Sequence, residues 1–505
     1  MSTRTCYLGV DAGLTSTKAA AFDAAGHELH VVSAPMPRTY VTAHRHEVDL
    51  VGLSDNVDAL LEELAGMLAA EGWEPAGLGV TGHGNGIYLV DASLRPVAPA
   101  IPSSDSRAQY LVDAISANDV HRLARDTGSV PWAAQPSVLL RWLRDHERNT
   151  YDAVRWVLTC KDWLTLQLTG SVSADYSDAS GCGMVHLDTL EYDPTALDIL
   201  GLPSDDLLRF PPLHPSGEVV GGLTASAAAR THLPEGLPVI AGCMDAVASA
   251  VGAGARDEGD VTVIVGTWAI NGVVAPRRTP APDVTLSAVM PSPSLMMSME
   301  VAPTSTTNLD WLMRAFAPPS VNRLPDVAEL LREAASVPAG AEGLLFLPFV
   351  NGAPQHPDAS GTFLGISGVH RRGHLTRAVV EGVAQYHRVQ LDRVVASGAA
   401  VADRPWRLAG GGARSEVWAQ IFADILGRSL RRQMAGELGV RGVASLVPAA
   451  VGGAAIPWTL GDREDLCVHP GVDRPIYQRQ ARLFDACVAA LPTAWGEIER
   501  QRTEQ

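Results

Sequence analysis

Apolar and polar positions along the chain repeat one order: a short apolar run, a turn of Gly, Thr and Ser, then a second short apolar run or an amphipathic helix. Residues 7–10 and 19–22 are apolar and flank Asp11-Ala12-Gly13-Leu14-Thr15-Ser16, which predicts a β-hairpin. Helical spacing follows over 55–71 through Val57, Leu60, Leu61, Leu64, Met67 and Leu68, with Gly72 to stop it. Short strands are predicted at 77–81 and 87–90, on either side of Gly82-His83-Gly84-Asn85-Gly86, and a helix at 137–146. The polar, small-residue stretch 171–183 reads as a long loop, and the Pro- and Gly-rich stretch 211–222 as a connection. Residues 237–242 predict a buried strand with Asp245 after its end, and 246–255 a helix of small residues.

The stretch 260–274 repeats the opening layout, with Gly266-Thr267 as its turn. A duplicated hairpin implies two similarly built domains facing each other, divided here as 1–252 and 253–505. Phosphate would then be cradled between the two hairpin turns. Further on, 361–365 predicts a turn and about 374–395 an amphipathic helix. Residues 407–409 predict a strand entering Gly410-Gly411-Gly412. Ser415 would cap the next helix, which carries Val417, Trp418, Ile421, Phe422 and Ile425.

Length and composition narrow this picture. A chain of 505 residues exceeds one core, and 46% hydrophobic with 19% charged residues suits a soluble globular protein. The net charge of −17 argues against a nucleic-acid or anionic-membrane surface, although a local patch of amides and cations could still hold an anion. The six cysteines form no C-x-x-C pair, which suits reduced thiols. No charged-then-apolar leader opens the chain, and no apolar run is long enough to span a bilayer, so a cytoplasmic protein is expected.

Candidate chemistry concentrates at the turns. Gly13 admits a ligand close to the backbone, Thr15 and Ser16 add hydroxyl donors and Lys18 a positive charge. Asp11 could hold a metal ion that accompanies a phosphate. The glycines at 410–412 would let a flat ring lie against the backbone, which makes an adenine site plausible. The His44-x-His46-Glu47 cluster invites a metal reading, but alternation on a polar loop favours a solvated surface. Neither G-x-x-x-x-G-K-[ST] nor a strand-linked G-x-G-x-x-G is present, so the geometry differs from a P-loop or a Rossmann motif.

Taken in order, Asp11-x-Gly13-x-Thr15-Ser16-x-Lys18, the Asp245 segment, Gly266-Thr267, the signature-like run 361–381 and Gly410-Gly411-Gly412-Ala413 resemble the FGGY carbohydrate kinases. The likeness runs from about Tyr7 to beyond Ala490. It implies an α/β fold of two ribonuclease-H-like domains, as in actin and hexokinase, closing on ATP and sugar. It also implies that Asp245 is the general base and that Asp11 holds Mg²⁺ through the nucleotide phosphates. Gly13, Thr15, Gly266 and Thr267 would line the phosphate path, and Gly411, Gly412 and Ser415 would lie by the adenosine. Ser103-Ser104-Asp105-Ser106-Arg107 departs from the Trp-Asn-Asp-x-Arg run of D-xylulokinases, and Leu14 and Leu139 stand where Thr and Lys are usual. These departures resemble the L-xylulokinase branch, which makes Asn85, Asp105, Arg107 and Trp132 the sugar-contact candidates.

The expected reaction is ATP- and Mg²⁺-dependent phosphorylation of a small ketose, L-xylulose or a related pentulose first. Rival substrates are another pentulose, erythritol or a pentitol. A rival of another class is a nucleotide-binding regulator or chaperone-like ATPase. The expected partners are a small sugar or polyol, with no nucleic acid and no membrane, and a homodimer is the assembly considered.

Overall fold

Strand β1 (Arg4–Ala12) is the inner strand around which the first half is built. Its residues from Cys6 to Val10 are all buried, as a strand covered on both faces requires. It pairs antiparallel with β2 (Ser16–Asp23), with Asp11 opposite Lys18. Helix α1 (Leu50–Glu71) starts five residues before its expected position, because Leu50 and Leu53 belong to the same stripe as Val57, Leu60, Leu61, Leu64 and Leu68. The Asp49 carboxylate caps it by accepting from the Val51 amide, and Gly72 ends it at φ 73°. That stripe packs on Leu8, Val10, Leu78 and Val80 in one core. Strand β3 (Trp73–Gly82) comes next and runs parallel to β1, with Thr81 opposite Asp11.

The described residues of this computed structural model are 4–42, 44–277, 285–316, 326–353, 355–356, 358–434, 436–453, 458 and 466–503. The first sheet has the order Val219–Gly222, Pro238–Ile240, β3, β1, β2, Glu28–Pro35. Helix α2 (Cys160–Thr169) leads to a segment where the structure differs from the expected long loop. Within 171–183 lie the strand Ala174–Asp175 and helix α3 (Tyr176–Gly181), both buried. Their polar side chains bond one another inside the protein rather than water. The expected connection 211–222 likewise contains the strands Leu213–His214 and Val219–Gly222. Strand β4 (Cys243–Met244) pairs with the end of β3, and helix α4 (Asp245–Gly252) leaves from it.

By proximity of its parts the chain divides into two compact units. The first is Met1–Glu258 with Val274–Ser298 and Ala435–Thr459; the second is Gly259–Val273 with Met299–Met434 and Leu460–Gln505. The late return to the first unit brings the helix Leu438–Ala444 onto the sheet face opposite α1. Val440, Val443 and Ala444 pack there with Tyr7, Phe22 and Ile240. A Cβ built on Gly9 would stand 2.5 Å from the Val440 carbonyl oxygen, so the helix lies almost on the strand backbone.

Strand β5 (Val261–Val265) of the second unit and β6 (Ala269–Pro276), which lies in that unit as far as Val273, form the expected hairpin. The described segment Thr307–Phe316 is helix α5, and α6 (Arg372–Ala396) is the long helix read from the sequence. The expected turn at 361–365 is instead a strand, Thr362–Leu364, paired with Leu345–Leu347; Phe363 packs on Phe346 with ring centroids 4.5 Å apart. Strand β7 (Trp406–Ala409) lies parallel to β5, and Ser415 caps α7 (Glu416–Leu426) by accepting from the Trp418 amide at 3.2 Å.

Candidate active site

Three parallel strands of the first unit end at one edge. Ala12 of β1 and Met244 of β4 both pair with Gly82 of β3. Open α/β sheets bind ligands at such carboxyl ends. Asp11, His83 and Asp245 therefore gather there, from positions far apart in sequence.

The corner is acidic. Asp11 has its Oδ1 buried without a hydrogen-bond partner. Burial, then the charge of Asp245, pushes the Asp11 carboxyl up to about 7; Lys18 opposes this and Glu437 adds to it. Asp245 is raised to about 6 by burial, against the lowering effect of the Ala246 and Gly84 amides, the former at 2.7 Å. Burial, with the charge of Asp245 acting on Asp11, thus displaces two neighbouring carboxylates toward neutrality, which makes them candidates for holding a cation or a proton. Lys18 reaches Glu437 Oε2 at 2.5 Å, and a Cβ on Gly439 would stand 2.2 Å from Asp11 Oδ2. Any side chain at 439 would displace the Asp11 carboxylate. Glu437 and Gly439 are parts of the site that the sequence reading missed, and no local pattern marks them.

Gly13, Thr15 and Ser16 form the turn beside this corner. The Gly13 amide donates to the Ser16 carbonyl at 3.1 Å, and Thr15 is exposed at the tip.

His83, which precedes the Gly84 whose amide bonds Asp245, is buried, and burial lowers its pKa to about 4, so the ring is neutral at pH 7. Its Nε2 lies 2.9 Å from the Tyr88 hydroxyl and its Nδ1 3.3 Å from Ser103 Oγ. The Trp132 indole donates to the Ser103 carbonyl at 3.4 Å. Asn85 sits in the left-handed region at φ 61°, with Oδ1 buried and unpartnered. Holding a non-glycine residue there costs on the order of 1 kcal/mol, a strain that collects at functional sites.

Asp105 and Arg107 are a buried ion pair. Arg107 Nε lies 3.0 Å from both Asp105 oxygens, and their side chains are 0% and 3% exposed. The His46 amide donates to Asp105 Oδ2 at 2.8 Å, and Arg107 also lies over the Trp142 ring. Their charged heads satisfy each other and fix the 103–107 loop, whose Ser103 carbonyl meets Trp132. His44 and His46 bond Ser106 and Ser104, so the His44–His46 cluster braces this loop. Among the described residues no group of His, Cys, Asp and Glu of three or more could hold a metal by itself.

In the second unit, parallel pairing of Ile264 with Ala409 brings Gly266 and Gly410 side by side. Gly410 has φ 86°, and a Cβ on it would stand 2.6 Å from the Val265 carbonyl oxygen. A Cβ on Gly412 would meet Val265 Cγ1 at 2.4 Å. Thr267 and Gly411 are exposed. Thr306, absent from the sequence reading of the site, pins this turn: its amide and its hydroxyl donate to the Gly266 carbonyl at 3.0 and 2.9 Å. Its signal was the Thr-Thr pair opening α5. Beside it a groove of about 530 Å³ is lined by Thr307, Trp311, Arg314, Val350 and Asn351.

Two family models match most of the chain. The N-terminal domain model of the FGGY family of carbohydrate kinases matches residues 6–252, and the C-terminal domain model of that family matches 261–451. The chain is 29% identical over 494 residues to the L-xylulose/3-keto-L-gulonate kinase of Escherichia coli, covering 96% of this chain and 97% of that one. It is 29% identical over 467 residues to the erythritol kinase of Brucella abortus, covering 88% and 87%. The crystal structure of xylulose kinase from Rhodospirillum rubrum superposes with a TM-score of 0.86 at 31% identity, over 97% of this chain and 100% of that one.

Proposed function

The chain belongs to the FGGY family of carbohydrate kinases, and from that premise we propose that it transfers the γ-phosphoryl group of ATP to a hydroxyl of a pentulose, L-xylulose first. The observation that carries this reading is Asp245: a carboxylate directly after β4, bonded by the Ala246 amide at 2.7 Å and raised by burial to about 6. A general base works best with a pKa near the operating pH, so at neutral pH Asp245 is ionised and still basic enough to accept the proton of a sugar hydroxyl. Phosphoryl transfer asks little else of the protein than positioning and charge stabilisation.

We assign the sugar and the base to residues 1–252 and the adenosine to 253–505. Thr15, Ser16 and the Gly13 turn bind phosphate oxygens with Lys18; Gly266 and Thr267 do so in the second unit. Gly410, Gly411, Gly412 and Ser415 form the wall for the adenosine. Asn85 and Trp132 face the sugar, and Asp105 and Arg107 act through the loop they fix. A Mg²⁺ ion fits Asp11, whose buried Oδ1 has no partner and whose carboxyl burial and Asp245 hold near neutrality. Mg²⁺ needs only one or two carboxylates when phosphates and water complete its shell. Bound there, it would neutralise charge on the transferred phosphoryl group.

Among the described residues no helix is long and apolar enough to cross a membrane, and all six cysteines are unpaired. We place the reaction in the cytoplasm, where thiols stay reduced. The test is ADP release measured across both enantiomers of each pentulose, the pentitols and the tetritols. Greatest kcat/KM on L-xylulose supports the reading. Preference for erythritol or a pentitol moves the substrate within the family, and turnover indifferent to every sugar would favour a nucleotide-binding regulator.

A further inference from the structure

A buried polar network behind the acidic corner has no part in the chemistry described so far. Lys161, at the start of α2, is fully buried, with Nζ 2.6 Å from Asp162 Oδ1 and 2.9 Å from Asp175 Oδ1. Asp175 Oδ2 accepts from Ser177 Oγ at 2.6 Å, from the Ser177 amide at 2.8 Å and from Ser216 Oγ at 2.8 Å. Ser177 Oγ thus gives its single hydrogen to Asp175, which leaves a lone pair for the amide of Met244, donating to it at 2.9 Å. On the other edge of the same peptide, Thr81 Oγ1 donates to the Cys243 carbonyl at 2.5 Å. Both polar atoms of the Cys243–Met244 peptide are therefore held by buried side-chain hydroxyls, one residue before Asp245.

We propose that Ser177, oriented by Asp175 and Lys161, and Thr81 are positioning residues that clamp this peptide and so aim the Asp245 carboxylate at the acceptor hydroxyl. The idea rests on the reading of Asp245 as the general base. β4 is only a two-residue strand. Its ladder bonds are too few to fix the direction in which the chain enters α4, and the clamp supplies the missing constraint. A buried lysine with an ion-paired aspartate is costly to desolvate, and that cost is offset only when every partner is satisfied. Here the satisfied partner is a hydroxyl aimed at the catalytic strand. Misplacing a reacting group by about 1 Å can cost about 10²-fold in rate, so a clamp of this kind is visible in turnover.

The test compares Ser177→Ala, Ser177→Thr, Asp245→Asn and the double variant Ser177→Ala/Asp245→Asn in steady-state kinetics, with thermal melting of each. Ser177→Ala is expected to lower kcat by about 10–10²-fold while the sugar KM and nucleotide affinity stay within about twofold. Ser177→Thr keeps the hydroxyl and should recover most of the rate. Acting through Asp245, Ser177→Ala should cost almost nothing further on the residual turnover of Asp245→Asn. Additive losses in the double variant, or normal kcat in Ser177→Ala beside an inactive Asp245→Asn, would overturn the clamp and leave the base intact. Normal turnover in Asp245→Asn would instead remove the base itself. Should Ser177→Ala lose its cooperative melt, Thr81→Val against Thr81→Ser poses the same question from the other edge of the peptide, with the same outcomes.

Discussion

The two Gly-Thr hairpin turns share a local pattern and differ in the residues that stand behind it. In the first, Asp11 lies two residues before Gly13 and faces Lys18 across the hairpin. In the second, the position two residues before Gly266 is Ile264, paired with Ile270. The first turn backs onto carboxylates displaced toward neutrality, the second onto the glycines 410–412 and the Thr306 hydroxyl. In the proposed reading, one hairpin would serve a cation and a proton, the other would offer uncharged backbone donors to a flat ring. A repeated fold element sets where a ligand lies against the backbone; the flanking residues set what chemistry happens there.

That contrast is broken most strongly at the acids. Asp245→Asn should reduce kcat by roughly 10²–10⁴-fold with nucleotide binding retained, read by turnover beside calorimetric ATP titration. Asp11→Asn should cost roughly 10²–10³-fold and weaken the dependence of rate on Mg²⁺ concentration. Equal losses from Ile264→Ala would show that the two hairpins are not chemically distinct.

Smaller effects are expected in the second unit. Gly412→Ala forces a methyl against Val265, which costs roughly 1–3 kcal/mol in a packed site and should raise the ATP KM by about tenfold while the sugar KM stays put. Loss of one hydroxyl donor in Thr15→Ala or Thr267→Ala is worth about 0.5–1.5 kcal/mol, a severalfold change in ATP KM.

pH separates the hairpins as well. With Asp245 near 6, kcat/KM should fall on the acid side of about pH 6, as protonation removes the base. The same shift has a consequence for stability. The folded pKa lies above the ordinary 3.8, so the folded state holds the proton more tightly than the unfolded chain. That stabilisation is complete below pH 3.8 and lost as pH rises through about 6. Asp245→Asn should therefore melt a few degrees higher than the parent at pH 8, with the gap narrowing toward pH 5. A constant gap across that range would contradict the raised pKa.

Much of the fold is legible from local pattern. The hairpins, α1, α6 and the Ser415 cap arise from spacing and turn chemistry, which act over a few residues. Residues 171–183 misled because polar side chains were assigned to water; Lys161 supplies a buried countercharge for Asp175, and lysine at the start of an apolar helix gives no hint of it. Asp105 and Arg107 are legible as a pair, but their mutual saturation is visible only in three dimensions.

The sequence by itself determined which side chains stand at the strand ends: Asp11, His83, Asp245, and the glycines at 266 and 410–412. Strand length and turn position are local, and local interactions write them. Only the tertiary structure decided that β1, β3 and β4 end at one edge, and that Glu437 and Gly439 return to the Asp11 corner. It likewise decided that a buried lysine stands behind the strand before Asp245. Sheet order and the return of the helix Leu438–Ala444 depend on long-range burial, and the raised carboxyl pKa values arise from the desolvation and neighbouring charge that this burial creates.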